Sequence, residues 1–174
     1  MKTAYLGLGT NLGDRLANLA AALRGLAADP GLVIVRGSSV YESKPVGVLE
    51  QPDFLNMVVL IETTLAPAGL LQHCHWIEAQ MGRERRERWG PRLIDLDLLA
   101  YEDVVSKEER LVLPHPRMHE RSFVLTPLAE IAPEFSLNHT NVCDLAAQVG
   151  EAGLSRLMSW EDFSQLAGFP WRLP

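Results

Sequence analysis

Asp95 and Asp97 stand two residues apart inside the apolar run RLIDLDLLAY. Side chains alternate along a strand, so both carboxylates leave one sheet face roughly 7 Å apart while Leu96 points the other way. Two like charges held that close on a hydrophobic strand repel each other and are poorly solvated, and a cation between them relieves both costs. Hard oxygen ligands with few other protein donors suit Mg2+, which keeps its waters and recruits phosphate oxygens from a substrate. The competing reading of the pair alone is a solvated sheet edge.

A basic island immediately precedes the pair. Of the 16 Lys and Arg residues, Arg83, Arg85, Arg86, Arg88 and Arg92 all fall in RERRERWGPR. Guanidinium forks match phosphate oxygens and stay charged at any working pH, and beside a bound metal they neutralise a transferring phosphoryl group. A solvated loop with Glu84 and Glu87 pairing internally is the alternative; Trp89 in its middle weakens that alternative. Other groups carry weaker signals. His75 and Glu78 neighbour one another at helical spacing and read as an exposed polar face or as two ligands of an unclosed zinc site, with His73 on the surface. LPHPRMHERSF gathers His115, Arg117, His119, Arg121 and Phe123 beside two prolines that stiffen it against helix formation. Phe54 and Asn56 share one strand face, opposite Ser43 to Val46 across a loop, an aromatic-plus-amide pairing that suits a flat heterocycle.

The elements that must position these groups can be read from periodicity. TAYLGLG predicts a short buried strand, and GLGTNLGD a tight strand-to-helix turn, its glycines failing both the dinucleotide and the Walker spacing. Leu12, Leu16, Leu19, Leu23 and Leu26 follow a helical period, with Asn11 or Thr10 as cap. LVIVRGSSVYES predicts a second strand and DFLNMVVLIETTL a third, joined as an antiparallel hairpin. Pro67 opens a second helix with apolar positions Leu70, Cys74, Ile77 and Met81, and Gly82 stops it. RLIDLDLLAY is the fourth strand. The order β-α-β-β-α-β defines an α+β, ferredoxin-like sandwich, an antiparallel sheet with two helices on one face. TPLAEIAPEF, NVCDLAAQV and SWEDFSQLAG predict further C-terminal helices, the last with a Ser159 to Asp162 capping pattern.

Composition bounds the rest. The 174 residues suit one domain able to bury roughly 70% of its unfolded surface; residues 1–135 form its core and 136–174 an extension packed on it. With 47% hydrophobic and 22% charged residues the chain is globular rather than disordered. No apolar run reaches the roughly 18 residues of a membrane helix, and AYLGLG is too short for a signal-peptide core, which predicts a soluble cytoplasmic protein. Cys74 and Cys143 are too few for a disulfide framework. A net charge of -6 argues against a nucleic-acid coat. A ferredoxin-like RNA-binding module would need a basic, aromatic open sheet, and a non-catalytic binding domain would have no need of paired aspartates.

Taken together, GTNLGDR, QPDFLN, ERWGPRLIDLDLL and LPHPRMHERSFVLTPLAEIAPE resemble the 6-hydroxymethyl-7,8-dihydropterin pyrophosphokinases of the folate pathway, over roughly residues 3 to 135. The resemblance implies transfer of the β,γ-pyrophosphoryl group of ATP to the pterin hydroxymethyl oxygen, releasing AMP, by a monomer or weak homodimer acting on these small molecules without nucleic acid or membrane. It implies two Mg2+ ions on Asp95 and Asp97, and Arg83 and Arg92 as catalytic donors. Glu78, Arg85, Arg88, Trp89, Ile94, His115 and Arg121 match ATP-binding positions, Trp89 on a loop that closes over the nucleotide. Ser43, Pro45, Val46, Phe54, Asn56 and Phe123 match positions lining the pterin pocket.

Overall fold

The computed structural model describes residues 1–47, 50–82 and 91–168. The chain runs β1 (Lys2–Thr10), α1 (Arg15–Ala27), β2 (Leu32–Gly37), β3 (Val40–Ser43), β4 (Phe54–Thr63), α2 (Pro67–Gln80) and β5 (Asp95–Tyr101). The small hairpin β6 (Ser106–Glu108) and β7 (Leu111–Leu113) leads through a 3-10 turn at Met118–Glu120 into α3 (Ser122–Ile131). The two-residue strands β8 (Ser136–Leu137) and β9 (Thr140–Asn141), then α4 (Val142–Val149), β10 (Leu154–Met158) and α5 (Trp160–Leu166), complete it.

The main sheet has the order β10-β3-β4-β1-β5, with β2 alongside β4, and its pairings are all antiparallel. The class is therefore α+β, an antiparallel sheet carrying helices. Strict alternation in β1 explains the layering. Ala4, Leu6 and Leu8 enter a core with Leu19, Leu23 and Leu26 of α1 and Leu70, Cys74 and Ile77 of α2. On the opposite face, Val58 of β4 and Leu99 of β5 pack with Val124, Leu125 and Leu128 of α3. Two helices cover one face, as the periodicity implies. The third covers part of the other, and the remainder opens into the cavity described below.

Several local expectations need correction. The cap of α1 is Asp14, whose carboxylate accepts from the Ala17 N–H at 3.0 Å. Leu12 precedes the helix, and Asn11 is engaged elsewhere, because Gly13, at φ +65°, turns the chain before the helix begins. The second strand breaks into β2 and β3 at buried Ser38 and Ser39. Ser38 stays tied to β4 through its own N–H to the Val58 carbonyl (2.8 Å) and the Val58 N–H to its hydroxyl (2.9 Å). Ser39 instead gives its N–H and hydroxyl to Glu130. The helix in the 120s starts at Ser122, four residues before TPLAEIAPEF. In the tail, α4 and α5 form as read, α5 capped by the Ser159 hydroxyl accepting from the Asp162 N–H at 3.1 Å, but LSRLM adds an unforeseen edge strand against β3.

Candidate active site

The strand register places Gly9 opposite Asp95 and Gly7 opposite Asp97. Gly7 and Gly9 thus belong to β1 rather than to the turn, and their missing side chains leave a flat floor next to the carboxylates. Both aspartates line a cavity of about 220 Å3 that this floor underlies. Leu96 between them points into the core. Arg92 is ion-paired with Asp95, and Arg121 Nη1 lies 3.6 Å from Asp97 Oδ2. Burial lowers the Arg121 pKa and Asp97 opposes that shift, so the guanidinium stays charged.

One wall comes from the hairpin of β3 and β4. Ser43, Val46, Phe54 and Asn56 line the cavity with Lys44. Asn56 is buried, and its Nδ2 donates to the Ser43 hydroxyl at 2.8 Å. Pro45 is buried and does not line the cavity, whereas its two neighbours Lys44 and Val46 do. The facing wall comes from the start of α3 and the segment leading into it, where Phe123 lies beneath the Arg121 guanidinium at 5.6 Å and Arg117 holds Glu120 at 2.6 Å. The cavity therefore joins an aromatic-and-amide compartment to a compartment of carboxylates and guanidinium groups.

Other sequence-selected residues lie elsewhere. Ile94 is fully buried in the core and does not line the cavity. Glu78 is buried as well, contrary to the exposed polar face expected for it. It accepts the Leu96 N–H at 2.7 Å and so ties α2 to the strand carrying the aspartates. His75 remains exposed. His73 is half-buried, stacked on Trp76 with centroids 5.9 Å apart and 3.9 Å from Asp29. His115 sits behind the wall rather than on it. Its N–H donates to the Leu99 carbonyl (2.7 Å) and its Nδ1 accepts from the Arg117 N–H (3.2 Å). Burial, then Arg121, brings its pKa down to about 4, so it is neutral at pH 7. Burial, then Glu78, pushes the Cys74 thiol up to about 12, which rules it out as a nucleophile. Arg83, Arg85, Arg86, Arg88 and Trp89 lie outside the described residues.

The sequence reading missed the floor and the Arg117–Glu120 pair. Its signal for the floor was present: glycines at alternate positions of β1, with large residues between them. The donor set fits a hard divalent cation. Among the described residues no three His, Cys, Asp or Glu cluster as metal ligands; a cation held by the two carboxylates would take its other ligands from water or phosphate, which suits Mg2+ better than zinc.

An apolar compartment joined to paired carboxylates and arginines is the arrangement expected of an enzyme that transfers phosphate-type groups to a small, flat acceptor. The chain matches the family described as 7,8-dihydro-6-hydroxymethylpterin-pyrophosphokinase over residues 5–133 and belongs to it. It is accordingly a transferase of diphosphate groups in folate biosynthesis. It is 50% identical over 157 residues to the 2-amino-4-hydroxy-6-hydroxymethyldihydropteridine pyrophosphokinase of Methylorubrum extorquens, covering 90% of this chain and 99% of that one. The enzyme of the same description from Haemophilus influenzae is 42% identical, with the same coverage of 90% and 99%. Among solved structures, a Plasmodium falciparum HPPK-DHPS triple mutant with pteroate superposes with a TM-score of 0.70 at 16% identity, covering 89% of this chain and 46% of that one. The present chain thus spans about half the length of that protein, and the likeness is one of fold.

Proposed function

We propose that the cavity binds ATP at its charged end and 6-hydroxymethyl-7,8-dihydropterin at its aromatic end, and joins them through the pyrophosphoryl group. Arg92 and Arg121 grip the phosphates, with Arg83, Arg85, Arg88 and Trp89 completing that end by resemblance. Phe54 and Phe123 sandwich the pterin ring, and Asn56, held by Ser43, offers its amide to the ring edge, while Val46 closes the wall. Pro45, Ile94, Glu78 and His115 act from behind, shaping the walls that others present. The acceptor hydroxymethyl oxygen attacks the β-phosphorus; the bond from that phosphorus to the α-phosphate oxygen breaks, its electrons leave on AMP, and the hydroxyl proton is released. Two Mg2+ ions held by Asp95 and Asp97, when bound, neutralise the phosphates and make the acceptor hydroxyl easier to deprotonate.

The observation that supports this most is the shared cavity: carboxylates, guanidinium groups, amide and aromatic rings line one space. We further infer a ferredoxin-like arrangement from the connectivity and the order β5-β1-β4-β2/β3, a single catalytic domain whose extension runs from residue 136, a cytoplasmic site of action and a site complete within one protomer. No described helix is long and apolar enough to cross a membrane. Incubation with ATP, Mg2+ and the hydroxymethylpterin, followed by nucleotide analysis, tests the reading. AMP and pterin diphosphate in equal amounts are expected, abolished by chelating the metal. ADP as product, or turnover independent of pterin, overturns it.

A further inference from the structure

The hairpin that carries the aromatic-and-amide wall ends its register at Ser43 opposite Phe54. One residue further out on each side stand Lys44 and Asp53, with Lys44 Nζ 2.7 Å from Asp53 Oδ2. Lys44 lines the cavity and Asp53 does not. The lysine is fixed at its base, where its N–H donates to the Gly153 carbonyl at 3.2 Å and its Cγ lies 3.5 Å from the place a Cβ on Gly153 would take. Asp53 is fixed by its own backbone. Its carbonyl accepts from Arg15 Nη1 at 2.8 Å, and the same nitrogen meets Glu42 of β3 at 2.7 Å. The carboxylate is thus an anchored partner for the far end of a flexible side chain.

An ion pair this open does little for stability. The Lys44 side chain is 73% exposed and that of Asp53 29%, and such pairs set a modest attraction against the entropy of a long side chain. Its effect is on where the lysine goes. A lysine stem covers apolar surface while its ammonium seeks a polar partner elsewhere. Here that partner lies off the cavity lining, so the head is drawn to Asp53 and the methylenes remain beside Ser43 and Val46. The hydrogen bond to Asp53 raises the ammonium pKa further, so the head is charged at neutral pH. Released into the aromatic compartment, a hydrated ammonium would take up space that a flat acceptor needs.

We propose that Asp53 is a positioning residue for the acceptor, acting through Lys44: it parks the ammonium outside the compartment and leaves the lysine stem as part of the wall. The inference rests on the assignment of the pterin to that end of the cavity.

Steady-state AMP formation, with each substrate varied at saturating levels of the other, tests the proposal on the wild type, Asp53→Ala, Lys44→Met and the double variant. Asp53→Ala raises KM for the hydroxymethylpterin at least about threefold, the scale of ordering one long side chain, and shifts KM for ATP less than about twofold. Methionine at position 44 keeps an apolar stem and has no ammonium to park. In that background the removal of Asp53 therefore changes the pterin KM by less than about twofold. An unaltered pterin KM in Asp53→Ala overturns the proposal, and so does an equal rise with Met at position 44, which would give Asp53 a route other than the lysine. Absence of AMP formation by the wild type overturns instead the assignment of substrates. If Asp53→Ala does not fold, salt decides. The acceptor is uncharged, so raising NaCl from about 0.05 to about 0.5 M, which screens an exposed pair, must raise the pterin KM more in the wild type than in Lys44→Met; equal responses count against the proposal.

Discussion

Asp95 and Asp97 share a face but not an environment. Asp95 is paired with Arg92, whereas Asp97 is the more open of the two, its side chain 37% exposed against 22%, with Arg121 at the edge of ion-pair distance. Asp97→Ala should abolish AMP formation while leaving the circular dichroism spectrum and thermal transition in place; normal AMP release would refute the metal role. Arg92→Ala should slow turnover at least about tenfold, since a guanidinium aimed at developing charge is worth over ~1.4 kcal/mol, and an unchanged rate would remove it from the machinery. His115 makes a pH prediction. Its folded pKa of about 4 lies below the ordinary 6.5, so the unfolded chain binds the proton more readily. The stability carried by neutral His115 is complete above about pH 6.5 and is lost as pH falls toward about 4. Urea midpoints should therefore drop more steeply on acidification for wild type than for His115→Gln, and parallel curves would contradict the shift. The aspartate pair was legible because carboxylates are conspicuous in an apolar alternation. Glu78 was not, although position 78 completes the stripe of 70, 74, 77 and 81; its charge disguised a core position, and only the fold reveals the Leu96 N–H that partners it.

At the scale of elements, the strand that carries the two aspartates is held from behind by α2 through Glu78. Glu78→Ala removes the α2 acceptor for Leu96 and should cost about 1–3 kcal/mol, the usual penalty for stranding a buried donor, with a loss of turnover because β5 is displaced. An unaltered urea midpoint would show the tether to be dispensable. Periodicity revealed α1, α2 and the four long strands because each buries a regular face. It did not reveal the break at Ser38 and Ser39, since that break depends on Glu130, 91 residues from Ser39 in sequence. The α1 cap was misplaced for a related reason: Thr10, Asn11 and Asp14 all qualify by type, and long-range bonds from Asn11 to Gln51, Pro52 and Arg92 decide among them.

Over the whole molecule, the extension beyond residue 135 closes the sheet and joins its core. β10 pairs with β3, and Phe163 of α5 is buried at 1% exposure among the side chains of α1 and the sheet. Phe163→Ala should destabilise the protein by ~3–5 kcal/mol, as cavity-forming aromatic truncations do, while the Michaelis constants for both substrates stay unchanged. A selective rise in one of them would mean that the extension acts on the site directly. The docked tail was legible in its helices, which carry caps and apolar stripes. Its strand was hidden, because LSRLM is short, bears an arginine and acquires strand geometry only from the free edge of β3.

The bare floor of Gly7 and Gly9 bears on inhibition. A compound whose ring rests there touches main chain, and resistance by trimming a contacting side chain is closed off because none is present. Only enlargement remains, and a methyl group on Gly9 would stand 3.3 Å from the Asn56 amide oxygen. The mutation that pushes out the drug also presses on the amide that the proposed function sets beside the acceptor.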